Sequence, residues 1–336
     1  MDIFKKYQRA AVGFVAVGVV VVYGAATAFP TDLFLWAHQK STDQSIAFSN
    51  IQQPIISKTV LIEENKKSIK LVNTVEELRD RFSAVSFELW AVRNGKQSVP
   101  RLFADTLPGD LKMLSEVHEL KQTFFRALLP LVLKVNEEIL ADRQQLEMLQ
   151  SMLLAGLELD DLQKQWLYKL TKVYNVTPGN ITELLNRVDA VSPALALAQS
   201  AQESGWGRSR FALKGNALFG QRTWDKGFGM VPKRRNGMYE VKSFPSLIDS
   251  VRSYARNLNI HPAYRDFRLL RAEMRSKNLV LNPYDLVETL EAYSERRDIY
   301  VRTIRKILRA DRLEELEVTQ LERRSVRVKD SLLSRG

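Results

Sequence analysis

The chain has 336 residues, 45% of them apolar and 26% charged, enough for one large globular domain or two small ones. It lacks cysteine, and its histidines (His38, His118 and His261) have no metal-ligating spacing, so disulfides and thiol nucleophiles are excluded and neither a metal nor a cofactor is expected. The 50 lysines and arginines against 39 acids leave a charge of +11, which favours an anionic partner; with no RNP, recognition-helix or zinc signature, nucleic acid is not the expected one.

Residues 1–10 carry Lys5, Lys6 and Arg9, a basic N-terminus expected in the cytoplasm. Residues 11–30 carry no charge and are almost wholly apolar. At about 1.5 Å per residue such a run reaches about 30 Å, enough to cross a bilayer core. The positive flank stays inside, so the expectation is a single-pass membrane anchor with the rest of the chain exported. The competing reading is a signal peptide with Ala26-Thr27-Ala28 as its cleavage site, and either way the bulk of the chain is exported.

Residues 31–110 read as a linker and helical stalk, with one helix near 74–93 where Val75, Leu78, Phe82, Val85, Leu89 and Val92 recur at helical spacing. Residues 111–310 form the main domain. Its first helical region is expected to end or kink at Pro130 and restart beyond it, with Val132, Val135, Ile139, Leu146 and Leu149 on one stripe. The string Thr177-Pro178-Gly179-Asn180 breaks the pattern, and a short helix follows over 181–188. Ser192-Pro193 opens the next helix, with serine as cap and proline at the first helical position. Residues 215–244 lose helical periodicity and read as a small β-lobe or long loop. Helical spacing returns through Leu247, Val251, Tyr254 and Leu258, breaks at His261-Pro262, and resumes after Asn282-Pro283 in a final pair of helices through Tyr293, Ile299, Ile304 and Leu308. Residues 311–336 read as a charged, frayed tail. The fold class is mainly α with a small β-lobe.

The chemistry concentrates in 198–220, AQSAQESGWGRSRFALKGNALFG. Ala194, Ala196, Ala198 and Ala201 let the Pro193 helix pack closely in a core, and Glu203 falls at its C-terminal end, just before Gly205. The negative end of the helix and apolar surroundings both disfavour a carboxylate there. A carboxyl still protonated near neutrality is what a general acid on a glycosidic oxygen requires. Trp206, Asn216 and Phe219 nearby are residue types that stack on sugar faces or hydrogen-bond acetamido groups; Trp224 and Tyr239 extend the set into the lobe.

The string ALAQSAQESGWGRSRFALKGNALFGQ resembles the active-site signature of the bacterial glucosaminidases of glycoside hydrolase family 73, most closely the Bax-type branch. FFRALLPLVLKVNEEILADR, RVDAVSPALALAQS, RNLNIHPAY and YSERRDIYVRTIR resemble the same branch in the same order, so the likeness covers about residues 111–309. The resemblance implies a lysozyme-like helical domain with a groove and a small β-lobe, hydrolysing β-1,4 bonds after N-acetylglucosamine in peptidoglycan. It gives Glu203 the role of catalytic acid and Tyr293 that of the family's active-site tyrosine. The second glutamate of the family's Thr-x-Glu-Tyr string has no counterpart; Glu240 and Asp225 are the candidates, and assistance by the substrate's own acetamido group is a third route. Lys214, Arg222, Lys226, Lys233, Arg234 and Arg235 would draw the enzyme to the carboxylates of the wall's stem peptides. Two rival readings stand beside hydrolysis: a lytic transglycosylase using the same Glu203, and an inactive wall-binding adaptor.

Overall fold

The computed structural model describes residues 73–232 and 239–323. They belong to one unit, Pro54–Val176 with Ile181–Gly336, except the turn Thr177–Asn180, the described part of a second unit. The basic N-terminus 1–10, the expected anchor 11–30, residues 31–72, Lys233, Arg234 and Arg235, and residues 324–336 lie outside the described residues. Among the described residues no helix is long and apolar enough to cross a membrane.

Helix α1 (Val75–Ala84) starts where the Thr74 hydroxyl accepts from the Glu77 N–H, and it buries Val75, Leu78 and Phe82. The single helix expected over 74–93 is two. Ser86 takes φ of +50°, the Phe87 N–H returns to the Phe82 carbonyl, and α2 (Leu89–Arg93) begins afresh. The break lets Phe87 join the core edge-on to Phe82 at 5.8 Å, whereas a continuous helix would turn it away from the Leu78–Phe82 stripe. Val85, expected on that stripe, is exposed. Val75, Leu78, Phe82, Phe87, Val99 and Leu107 share one core with the rest of the unit, so this part of the expected stalk is built into the domain.

Helix α3 (Val117–Leu154) runs unbroken for 38 residues through Pro130, so the helix does not end there. Proline frees the carbonyl four residues back at a cost of about 3 kcal/mol. Leu128, Leu129, Leu131 and Val132 around it are fully buried, at about 1.5–3 kcal/mol each, and hold the helix together. Helix α4 (Asp161–Tyr174) opens on a capping box, and α5 (Ile181–Arg187) is the expected short helix. Helix α6 (Pro193–Ser204) begins as its sequence indicates: the Ser192 hydroxyl accepts from Leu195 N–H and Pro193 occupies the first turn. Its alanines are all buried, and it packs against α3.

Upstream of α6 lies a charged hub. The fully buried Arg271 donates to the carbonyls of Asn186, Asp189 and Ala190 and to Asn259 Oδ1. Burial pushes the Asp189 carboxyl up, but the charges of Arg271, Arg275 and Arg143 outweigh it and hold it below the usual range. These bonds pin the 186–191 segment from which α6 departs.

After α7 (Arg210–Gly215) come β1 (Arg222–Thr223), β2 (Gly229–Met230) and β3 (Glu240–Lys242), an antiparallel sheet with β3 central and Val241 opposite both Arg222 and Met230. This is the expected β-lobe. Helix α8 (Leu247–Ile260) leads to a 3₁₀ turn, Pro262–Tyr264, then α9 (Arg265–Ser276) and α10 (Pro283–Glu288). Tyr293 is not on a helix of the final pair: it closes the 3₁₀ turn Glu291–Tyr293, before α11 (Arg297–Ala310), on which Ile299 is exposed. The described part of the tail packs rather than frays. Leu313 and Leu316 are fully buried in a 3₁₀ turn, and Leu321 pairs in parallel with Val99. Two leucines three apart form an apolar anchor inside a charged stretch.

Candidate active site

Glu203 lies in the last turn of α6. Gly205, Trp206 and Gly207 then take φ of +59°, +58° and +76°, and the Ser204 hydroxyl accepts from Gly207 N–H. A Cβ on Gly207 would meet Leu107 at 2.6 Å and Phe124 at 3.0 Å, so only glycine lets this turn press onto α3. Trp206, expected to face a sugar, is half-buried and packs one side into that contact. Its ring meets Phe124 and Phe125 at 6.1 and 5.4 Å, with the Lys121 ammonium 4.7 Å from its centroid.

The 215–220 turn is used in the same way. Asn216 has left-handed backbone and ends α7; its buried side-chain amide donates to the Phe244 and Pro245 carbonyls at 3.1 and 3.2 Å. The Asn216 amide nitrogen thus closes the base of the lobe. Phe219 stacks on Tyr254 at 4.0 Å and is 2% exposed, a core residue rather than a sugar platform. What the turn offers the site is Gly220. At φ of +62° it lies so close to the acid that a Cβ there would stand 2.8 Å from Glu203 Oε2.

Burial pushes the Glu203 carboxyl up to about 7, against the opposing pull of the Arg222 charge and the Tyr300 hydroxyl. The C-terminal end of α6 adds negative potential of the same upward sign. Three tyrosines surround it electrostatically: Tyr264, Tyr293 and Tyr300 are each pushed above the ordinary tyrosine value by burial first, with the Glu203 charge acting in the same direction. Tyr293 stacks on Tyr300 at 5.5 Å, and its hydroxyl donates to the Phe219 carbonyl at 3.1 Å. The expected tyrosine therefore stands in the acid's surroundings, with its proton directed to the backbone of the 215–220 turn.

In the lobe, Arg222 lies 4.5 Å from the Tyr239 ring centroid and donates to Glu295 at 3.0 Å, linking β1 to the segment between Tyr293 and α11. Glu240 accepts from Gly227 N–H and, at 2.8 Å, from Gly229 N–H, so its carboxylate organises the β1–β2 loop. Asp225 is exposed, its own N–H bonded to Thr223 Oγ1. Trp224 is 74% exposed, and Phe228, unforeseen from the sequence, is 69% exposed. Lys214 and Lys226 are exposed cations of the expected basic set.

Sequence reasoning missed Gln199, Tyr254, Tyr264 and Tyr300, and took Arg222 for one base among several. Gln199 precedes Glu203 by one helical turn, a spacing that marks one face, but Tyr300 comes from another helix and left no such trace. A second glutamate, Glu317, is also pushed up to about 7 by burial, but accepts from the Ser192 hydroxyl at 2.7 Å and Ala194 N–H. It caps the start of α6, beside a cavity of about 860 Å³ lined also by Arg101, Asn136 and Arg275. No group of histidines and carboxylates that could hold a metal occurs among the described residues.

A buried carboxyl poised near neutrality can give a proton to an oxygen and take one back. Residues 180–312 match the Glucosaminidase family, described as mannosyl-glycoprotein endo-beta-N-acetylglucosaminidase. Protein bax of Escherichia coli (strain K12) is 30% identical over 201 residues, 59% of this chain and 71% of that protein. No solved structure matches the chain. The helical unit, its β-lobe and these two likenesses agree, and the chain belongs to the Bax-type glucosaminidases of glycoside hydrolase family 73.

Proposed function

We propose that the chain hydrolyses β-1,4 bonds after N-acetylglucosamine in peptidoglycan, on a lysozyme-like fold, with Glu203 as the general acid. The observation that carries this reading is the carboxyl held at about 7 where α6, Gly220 and the tyrosines meet. Glu203 gives its proton to the glycosidic oxygen as the bond from that oxygen to the anomeric carbon breaks. The charge Glu203 then acquires is offset by Arg222 and by the Tyr300 hydroxyl. A water adds its oxygen to the anomeric carbon and loses its proton to a base. Of the two lobe carboxylates, Asp225 is the more available for that task, since Glu240 already accepts two backbone N–H bonds.

Tyr293 acts by holding Phe219, and with it Gly220, against the acid. Trp224 offers an open ring to a sugar face beside Tyr239 and Arg222. The basic charge of Lys214, Arg222 and Lys226 suits a polymer bearing carboxylates. The uncharged run 11–30 would anchor this domain at the periplasmic face of the inner membrane.

Digestion of purified sacculi tests the reading. Glu203→Gln is expected to lower turnover by at least about a thousandfold while wall binding persists. Mass spectrometry of the wild-type products should show reducing N-acetylglucosamine ends; 1,6-anhydromuramic ends would make it a lytic transglycosylase instead. Wild-type turnover by Glu203→Gln would refute the assignment of the acid, and binding without cleavage by the wild type would leave an adaptor.

A further inference from the structure

Helix α11 has two faces of opposite kind. Tyr300, Val301, Ile304 and Leu308 are buried, and this side packs against α6 and α10. With about 100° between successive residues, Arg302, Lys306 and Arg309 fall within about 60° of one another on the opposite side. All three are exposed, and with Arg305 and Ala310 they line a depression of about 360 Å³. Arg305 is engaged elsewhere: it pairs with Glu288 and donates to the Tyr284 carbonyl at 3.3 Å. Among the described residues no ion pair engages Arg302, Lys306 or Arg309, not even with Asp298 one turn before Arg302. Like charges one turn apart on a helix repel. An anionic chain laid along the row relieves that repulsion and is attracted by all three cations.

Shape and composition decide which anion fits. From Arg302 to Arg309 the row runs about 10.5 Å along the axis and follows a narrow depression, a seat for a strand. A bilayer surface is broad and takes apolar side chains along with cations, and Ile299 is the one large apolar side chain exposed on this helix. Because the face is turned away from α6, a strand whose glycosidic bond lies at Glu203 is not the one it meets.

We infer that the outer face of α11 is a second seat for the polymer, on which Arg302, Lys306 and Arg309 bind the stem-peptide carboxylates of a strand other than the one being cut. The inference rests on peptidoglycan being the substrate. Two seats on one wall raise the effective concentration of each for its strand, so this face keeps the enzyme on the wall between cuts.

The full-length protein in detergent is tested for binding to sacculi by co-sedimentation and for turnover of a short soluble glycan fragment. Replacing Arg302, Lys306 and Arg309 together by Gln is expected to weaken sacculus binding about tenfold at low salt, each exposed charge giving about a factor of two. The loss should vanish in about 1 M salt, where charges are screened beyond about 3 Å. Sacculi with amidated stem-peptide carboxylates should bind wild type as weakly as the variant. Turnover of the fragment should stay within about twofold, since the fragment does not reach the outer face. A control variant with Lys164, Lys169 and Lys172 on α4 replaced by Gln removes the same charge from another helix and should bind sacculi as wild type does. Unchanged binding by the α11 variant, or an equal loss in the α4 variant, overturns the inference. Loss of binding to phosphatidylglycerol vesicles with sacculus binding intact also overturns it, in favour of a membrane contact. A wild type that neither binds nor cuts sacculi would overturn the underlying reading as well.

Discussion

Glu203 and Glu317 are both buried carboxyls raised to about 7, and their neighbours separate the two roles. Glu317 is matched to a hydroxyl and a backbone N–H, as a helix cap requires. Glu203 is surrounded by an arginine and tyrosines, surroundings that suit the proposed acid. Both carry the same consequence for stability. Each binds its proton more tightly folded than unfolded, so its contribution is complete below about pH 4.5 and declines as pH rises toward 7, beyond which it is constant. Glu203→Gln is therefore expected to be more stable than wild type at pH 8, by about 1–3 kcal/mol, with the advantage fading by pH 4. Glu317→Gln should follow the same trend. Parallel unfolding curves for variant and wild type across that range would contradict the raised values. The position of Glu203 was legible, at the end of an alanine-rich helix before Gly205. Its value was not, because burial and Arg222 come from other segments.

At the scale of elements, the two glycine-bearing turns do different work. The 205–207 turn fastens the end of α6 to α3, and the 215–220 turn brings Gly220 against the acid. Gly220→Ala is expected to cost about 1–2 kcal/mol for φ of +62° alone. Its activity loss should be larger than that cost explains, because the new Cβ displaces Glu203 Oε2. Urea unfolding and sacculus digestion read the two effects separately; full activity in a destabilised Gly220→Ala would show that the contact is not functional. The cap at Ser192 was accessible to local reading because it bonds within four residues. The break at Ser86 and the persistence of α3 through Pro130 were not. Each is decided by burial, of Phe87 in one case and of the leucines around Pro130 in the other, and burial depends on partners far along the chain. Phe219 shows the same limit: residue type suggested a sugar contact, and packing placed it in the core.

For the whole molecule, the anchor and the catalytic unit pose separable questions. If 11–30 spans the inner membrane, the intact chain should remain with membranes through an alkaline carbonate wash, and a chain lacking residues 1–30 should not. Recovery of the intact chain in the soluble periplasmic fraction would favour cleavage near Ala26-Thr27-Ala28. The unit itself extends in both directions beyond the catalytic stretch. Val75 through Leu107 joins its core from the N-terminal side, while Leu313, Leu316 and Glu317 pack from the C-terminal side. Truncation at 110 or 311 would therefore cut through the core rather than trim a linker.

Sequence alone determined what depends on near neighbours: the absence of thiol chemistry, the starts and stops of most helices, the switch from helical spacing to a lobe at 215–244, and the placing of one glutamate at a helix end. Tertiary structure decided which side chains face that glutamate and which aromatic residues remain open to solvent. Electrostatic and packing energies act through space over a few ångströms, and Tyr300, Arg222 and Gly220 reach Glu203 only after α11, β1 and the 215–220 turn have closed around α6.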